Sequence, residues 1–400
     1  MKKLIPIYLT NFVTLFYMLT TVPLGYMYQD FPGKHHVVIL MATLPTLTCM
    51  FTALLSGSLS RKFSSRTLVL AGIACSVLGG LMVRVINRDS LMVCIIGVGL
   101  TGVATGFIQT MNYATLAVIV PEGKREKAVG WNDAVGYLGM TAVTVLAGWL
   151  AKDGDWARAY NCYFMSAVVL VIAYFTYPET GQAAGVVVRK EKETLGQSQS
   201  TVTDKIPFCV AALLLIKFFS AMFNMSGAYY ISDLVINETE LGSSVLVGNS
   251  AMVYSLANVI GSLIVYLFFR LFRSGSYAIS HLLAGISLCM IAFFPAKGTI
   301  LVFEALLGIG VASSHSAVST MATMAPKGRN VAIATSLFVV AAYFGEFLCS
   351  YGTSFAAAAI VGNSLPSSAL KVAGIMCVIL GIFSIPFVKR SRELAFFTNR

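Results

Sequence analysis

Apolar residues occur along this chain in twelve stretches of about 20 positions, separated by shorter polar segments. A helix of about 20 apolar residues crosses the roughly 30 Å hydrocarbon core of a bilayer, so each stretch predicts a membrane-spanning helix. The predicted helices lie near residues 4–25, 37–58, 66–86, 91–119, 128–151, 159–177, 207–232, 245–269, 276–295, 299–324, 330–360 and 370–388. The pattern therefore predicts an all-α membrane protein with twelve transmembrane helices in two six-helix bundles.

The second half of the chain repeats landmarks of the first half. Pro178 and Pro386 each close a long apolar stretch, and the proline-glycine-basic segment at 121–125 has a counterpart at 326–330. A repeat of half the chain length is typical of a secondary transporter built from two bundles. It predicts an N-terminal six-helix bundle at 1–178, a cytoplasmic linker at 179–206, a C-terminal six-helix bundle at 207–390 and a cytoplasmic tail at 391–400.

The composition excludes several other classes of protein. Hydrophobic residues make up 57% of the chain and charged residues 11%, against roughly 45–50% and 25% in a soluble domain. The net charge of +11 does not indicate nucleic-acid binding, because the basic residues are spread over many loops. The eight cysteines lie in or beside apolar stretches without a CxxC pair, which argues against a disulfide framework or a metal site. No cofactor is expected.

The basic residues also predict the orientation. When successive loops are assigned to alternate sides, most lysines and arginines fall on the side that holds both termini. The positive-inside rule then predicts that both termini are cytoplasmic. The expected setting is a cell membrane, namely a bacterial inner membrane, which the chain crosses many times as a monomer in contact with the lipid bilayer.

A motif between the second and third predicted helices carries a family resemblance. Gly57, Leu59, Lys62 and Arg66 fit the pattern G-x-L-A-D-R-x-G-R-R of the major facilitator superfamily, whereas Arg61 replaces its aspartate. The chain resembles this superfamily over essentially its whole length, although helix five lacks the glycine-proline signature of drug/proton antiporters. In the superfamily the motif helps to hold the inner side closed. The resemblance therefore implies a gating role for Gly57, Arg61, Lys62 and Arg66.

The resemblance also implies where a substrate binds. In the superfamily the first, fourth, seventh and tenth helices line a central cavity, and the two bundles expose it to alternate sides of the membrane. The polar residues on these helices that are expected to bind substrate are Asn11, Tyr17, Gln109, Asn112, Tyr113, Lys217, Asn224 and His315. Each of the four amides can equally bond a neighbouring helix, and a lone histidine is often a packing residue.

Four charged residues lie within predicted spans, where a charge costs about 2.5–3.5 kcal/mol on insertion scales. Lys217 and Glu346 are expected to face each other, because helices seven and eleven are neighbours in the superfamily. Glu346 is the first candidate for proton coupling and Asp133 the second. Asp133 is expected in the first turns of helix five, near a stabilising helix N-terminus. Glu304 is expected near the outer end of helix ten, in contact with water.

These observations predict a secondary active transporter that moves a small organic solute by alternating access. Since the chain has no nucleotide-binding loop of the form G-x-x-x-x-G-K-[ST], the expected energy source is the proton gradient. The preferred interpretation is proton-coupled export of an amphipathic compound. The alternatives are uptake of a metabolite or of an organic anion paired with Lys217, and a non-transporting receptor on the same fold. No nucleophile-base pair supports a membrane-embedded enzyme.

Overall fold

The structure is a computed structural model that describes residues 4–60, 62–86, 90–179, 208–272, 275–324 and 329–398. All regular elements in these ranges are helices. Eleven helices in the described ranges are long and apolar enough to cross a membrane, and a bent pair near the N-terminus makes twelve if it forms one span. The predicted all-α, twelve-span fold is confirmed. Arg61, and the predicted linker after Glu179, lie outside the described residues.

The chain divides into two compact units, of which the first holds the described residues up to 179 together with 242–252. The α-helices of the first part are α1 Ile5–Phe12, α2 Leu24–Asp30, α3 His35–Leu59, α4 Ser65–Ile86, α5 Leu91–Ile119, α6 Glu122–Leu150 and α7 Tyr163–Thr176. Short 3-10 helices occupy Phe16–Thr21 and Trp156–Cys162. Helix α5 packs against α3 and α4, and α1 packs against α6.

The first predicted span is broken rather than continuous. Helix α1 is followed by the 3-10 helix Phe16–Thr21, and α2 is bent by 45° from the segment before it. Pro23 stands at the bend, where its missing N–H cannot donate a helical hydrogen bond. The Thr21 hydroxyl donates to the Met18 carbonyl at 2.8 Å. This hydroxyl thus adds a hydrogen bond within the protein next to the bend, where the bilayer core supplies no water.

The second unit holds the described residues of 208–241 and 253–398. The α-helices from here onward are α8 Phe208–Asn224, α9 Ser226–Asp233, α10 Ser244–Phe272, α11 Ser276–Phe293, α12 Lys297–Met324, α13 Arg329–Val361 and α14 Pro366–Thr398. Helix α10 begins in the first unit and continues in the second. Helix α8 packs against α13 and α14, and α11 packs against α12 and α14.

The seventh predicted span is also broken. Helix α8 ends at Asn224, α9 begins at Ser226, and a π-helical turn at Leu234–Glu238 follows. The Met225 N–H reaches the Ala221 carbonyl only at 3.4 Å, which is a weak continuation of the helical ladder. The break at Asn224–Ser226 therefore divides this span in two.

Glycine allows the closest helix contact in the first unit. A Cβ atom added at Gly139 on α6 would overlap the carbonyl oxygen of Phe12 at the end of α1, whereas one added at Gly130 on the same helix would meet nothing within 4 Å. Small residues let helix backbones approach closely in a membrane, where packing rather than water exclusion drives association. Gly139 thus fixes the distance between α1 and α6.

We expect Gly139→Ala to destabilise the folded protein by about 1–3 kcal/mol, because the added methyl group must push α1 away from α6. Gly130→Ala is the matched control on the same helix and should unfold at or slightly above the wild-type temperature. Thermal unfolding of the purified proteins in detergent measures both. Equal loss of stability in the two variants would contradict the close contact at Gly139.

Candidate functional site

Asn112 on α5 is the centre of a hydrogen-bond network in the first unit. Its side chain is fully buried, and its Nδ2 donates to the Ile7 carbonyl at 3.2 Å. Its Oδ1 accepts from the Tyr177 hydroxyl at 3.0 Å, and its amide lies within 3.2 Å of the Thr10 Oγ1. The structure therefore places Asn112 as the link between α1, α5 and the end of α7.

Asn11 joins α1 to α6 in the same unit. Its Nδ2 donates to the Asn132 carbonyl at 2.6 Å, and its Oδ1 accepts from the Thr14 hydroxyl at 3.1 Å. Tyr17 lies buried in the 3-10 helix that follows α1. Both predicted substrate residues are thus in the interior of the first unit, and their substrate-binding role remains a prediction.

Gln109, Tyr113 and Asp133 form a second polar group, called here the Asp133 cluster. The Tyr113 hydroxyl donates to Asp133 Oδ1 at 2.6 Å, and Gln109 hydrogen-bonds to Tyr113. Helix α6 begins at Glu122, so Asp133 lies in its fourth turn rather than in its first turns as expected. The helix dipole acts mainly in the first turn, so the tyrosine hydroxyl is the local stabilising contact.

Lys217 and Glu346 occupy neighbouring helices of the second unit. Lys217 on α8 is 3% exposed and Glu346 on α13 is 8% exposed, and the two helices pack against each other as expected. Their charges interact, but among the described residues no ion pair within 4.0 Å joins them. The Tyr229 hydroxyl donates to Glu346 Oε1 at 3.3 Å. The two charges thus act on each other without a direct salt bridge.

Two histidines lie close enough to Lys217 to interact with its charge. The charge of Lys217 acts on both His281 and His315. The His281 ring is fully buried, with Nδ1 at 3.1 Å from the Tyr277 carbonyl and Nε2 without a hydrogen-bond partner. The His315 ring packs edge-on against Phe338, with centroids 4.9 Å apart. We refer to Lys217, Tyr229, His281, His315 and Glu346 as the Lys217 cluster.

Sequence reasoning missed two members of this cluster. His281 is a polar residue inside an apolar span, which is a sufficient reason to consider it. Tyr229 follows Lys217 beyond the break at Asn224–Ser226, and nothing in its position along the chain indicates a contact with Glu346. In the described part of the chain, no group of three or more His, Cys, Asp or Glu side chains could hold a metal ion.

Asn224, the eighth predicted substrate residue, is the last residue of α8 and is buried at the break. Its Oδ1 lies 2.9 Å from the Cys377 sulfur, which can donate a weak hydrogen bond, and its Nδ2 has no hydrogen-bond partner. On the other side of the break, the Ser226 Oγ lies 3.2 Å from the Thr353 Oγ1. Asn224 thus keeps one buried donor unused.

The predicted gating residues lie at the junction between α3 and α4. Gly57 and Lys62 are exposed. Arg66 binds Glu179 at 3.2 Å and the Tyr174 carbonyl, and its guanidinium lies 5.8 Å from the centre of the Tyr174 ring. These contacts join the start of α4 to the end of α7, and a gating role for the motif remains a prediction.

Glu304 on α12 differs from the expectation of a solvated residue. Its side chain is only 3% exposed, and within the described ranges its Oε1 has no hydrogen-bond partner. Its location near the start of α12 agrees with the sequence, but the neighbouring helices cover it. Burial at the end of a span depends on the packing of other helices, which a single apolar pattern does not contain.

The sequence matches the Major Facilitator Superfamily over residues 4–345. The chain belongs to this superfamily. It is therefore a multi-pass membrane protein and a secondary transporter, as the sequence predicts. No curated protein sequence matches the chain.

Solved structures share the superfamily fold at low sequence identity. A peptide transporter POT in complex with sulfate aligns with a TM-score of 0.78 at 13% identity, covering 98% of this chain and 96% of that chain. A POT family transporter in complex with 5-aminolevulinic acid aligns with a TM-score of 0.72 at 10% identity, covering 97% and 96%. The inward-open xylose transporter XylE from E. coli gives 0.69 at 14% identity, covering 95% of each chain.

The network around Asn112 predicts a graded loss of stability. Asn112→Ala removes the hydrogen bonds of the Asn112 side chain to Ile7, Thr10 and Tyr177 and should cost about 1–3 kcal/mol. Tyr177→Phe removes one hydroxyl and should cost about 1 kcal/mol. Thermal unfolding in detergent gives the order of the two losses. Wild-type stability in Asn112→Ala would show that the network does not hold these helices together.

A double-mutant cycle tests the coupling between Lys217 and Glu346. Each single change to Ala leaves the other buried charge without its counterpart, so the double variant should lose less stability than the two single losses together. A coupling of roughly 1 kcal/mol is expected for charges that interact without direct contact. Additive losses in thermal unfolding would mean that the two charges do not influence each other.

Proposed function

We propose that this transporter moves a small amphipathic organic solute in a proton-coupled reaction. The observation that carries the proposal is the Lys217 cluster, where a buried cation and a buried carboxylate lie on adjoining helices. Ionisable residues inside a membrane are costly and mark substrate or proton pathways. Membership of the superfamily supports transport rather than catalysis.

Glu346 is the proposed proton-coupling residue, and Asp133 is the second candidate. Both carboxylates accept a hydrogen bond from a tyrosine, Tyr229 and Tyr113 respectively. Glu346 also experiences the charge of Lys217, so gain or loss of a proton there changes the balance of charge at a buried lysine. Such a change gives the two protonation states different preferred conformations, which is what coupling requires.

Aromatic residues beside the cluster support an amphipathic solute. The ring centre of Phe338 lies 4.9 Å from that of His315, and the ring centre of Tyr277 lies 4.2 Å from that of His281. Rings next to a buried charge suit a compound that has an apolar body and one polar group. We propose export as the direction of transport and a bacterial inner membrane with cytoplasmic termini as the setting.

A second candidate function is uptake of an organic anion. Lys217 favours it, because this buried cation has no ion pair within 4.0 Å among the described residues and could bind a carboxylate or a phosphate group. The Nδ2 of Asn224, which is also without a partner, could donate a further hydrogen bond. A D-xylose-proton symporter of the same fold aligns with a TM-score of 0.66 at 15% identity, covering 96% of this chain and 97% of that chain.

The first experiment identifies a ligand. A panel of metabolites and drugs is added to the purified protein, and a ligand that binds the folded state raises the unfolding temperature. Each ligand found is then loaded into proteoliposomes that contain a trapped pH indicator. The sign of the proton movement that accompanies ligand efflux separates exchange against protons from symport. Binding without counterflow of labelled ligand would favour a receptor and contradict transport.

With such a ligand, Glu346→Gln should abolish ligand-driven proton movement and keep counterflow of labelled ligand, because Gln retains the hydrogen bond to Tyr229 but carries no ionisable proton. Glu240→Gln, at an exposed residue between spans, is the control and should behave as wild type. Unchanged proton movement in Glu346→Gln would transfer the assignment to Asp133, which Asp133→Asn tests in the same assay.

A further inference from the structure

Glu304 is a buried carboxylic side chain that the proposed transport reaction does not use. It is 3% exposed, and its Oε1 has no hydrogen-bond partner among the residues that the structure describes. Glu346 and Asp133, by contrast, each accept a hydrogen bond from a tyrosine hydroxyl. An ionised carboxylate without a partner in apolar surroundings is strongly disfavoured, and a neutral carboxylic acid is tolerated far better.

The carboxyl group lies against the start of α9, directly after the break at Asn224–Ser226. A Cβ atom added at Gly227 would lie 2.8 Å from Glu304 Oε1, 2.7 Å from the Leu307 side chain and 3.7 Å from the Leu288 side chain. Glycine at position 227 is therefore what makes room for the carboxyl group. Apolar side chains surround the contact.

In the described part of the chain, no ion pair within 4.0 Å involves this carboxyl. The helices packed beside α12 carry several ionisable side chains. Those on α8, α9, α10, α11, α13 and α14 include Lys217, Tyr229, Tyr230, Asp233, Tyr254, Tyr277, His281, Tyr343, Glu346, Tyr351, Lys371, Lys389 and Arg390.

An unused donor belongs to the same break. Asn224 Nδ2 is buried and has no hydrogen-bond partner in the described part of the chain. The break thus contains one buried donor, and Gly227 after it touches a buried acceptor, but the donor and the acceptor are not joined in this structure.

We propose that Glu304 is a proton-binding site that controls the break at Asn224–Ser226. The neutral acid is compatible with the packing described here. Loss of the proton to water breaks only the O–H bond and creates a carboxylate that needs hydrogen bonds. A change of backbone conformation at the break supplies one of them from Asn224 Nδ2. The seventh span then changes shape with the protonation of Glu304, whatever the solute is.

Infrared spectroscopy of the full-length protein in lipid nanodiscs, without any solute, tests the protonation. At neutral pH the wild type should show the carbonyl stretch of a protonated carboxyl group with weak hydrogen bonding. Glu304→Gln should lack this absorption, and Glu346→Gln should keep it. The same spectrum in wild type and Glu304→Gln would overturn the proposal, and Glu304→Met is a second neutral variant should Gln impair folding.

Hydrogen–deuterium exchange tests the control of the break. After correction for intrinsic exchange, amides of residues 224–238 should exchange severalfold faster at alkaline than at acidic pH in wild type. In Glu304→Gln, exchange should stay at the acidic level at both pH values. A rise of the same size in both proteins would overturn the link to the break, even if the infrared result is as expected. Because neither measurement uses a solute, failure here is distinct from failure of the transport assay.

Discussion

The absence of water from the bilayer core is the constraint on which this structure depends. Backbone amides cannot be left without partners there, so every described element is a helix. The same constraint acts on polar side chains, which must find partners within the protein. Asn112 and Asn11 do so by binding carbonyls and hydroxyls of neighbouring elements. These bonds, with the glycine contact at Gly139, position α1 against α5 and α6.

Hydropathy predicts the number of helices because membrane thickness fixes their length. The sequence gives a reason for the interruption of the first span but not for that of the seventh. Pro23 gives a local reason for the bend in the first span, whereas no proline stands at the break between Asn224 and Ser226. That break depends on contacts with other helices, such as Cys377 and Thr353. An apolar pattern records how well a segment fits lipid, and it contains no information on these contacts.

The candidate site is likewise only partly predictable from the sequence. The depth of Lys217 and Glu346 and the proximity of their helices follow from the sequence and the resemblance to the superfamily. Their partners do not, because a helix rotation of one residue, about 100°, changes which side chain faces a neighbour. Tyr229 and His281 became apparent only in the structure. The start of α6 at Glu122 likewise changed the surroundings of Asp133 from a helix end to a tyrosine contact.

Some buried polar groups hold helices together, and others lack a partner in the conformation described here. The amides of Asn11 and Asn112 bind backbone and hydroxyl groups and so fix helices of the first unit in place. Among the described residues, Asn132 in the first unit and His281 and Glu304 in the second keep buried side-chain atoms without a hydrogen-bond partner. An unsatisfied buried group destabilises the conformation that contains it. A conformation that carries such groups is therefore easier to leave, and a change in protonation or a bound solute that satisfies one of them alters the balance between conformations.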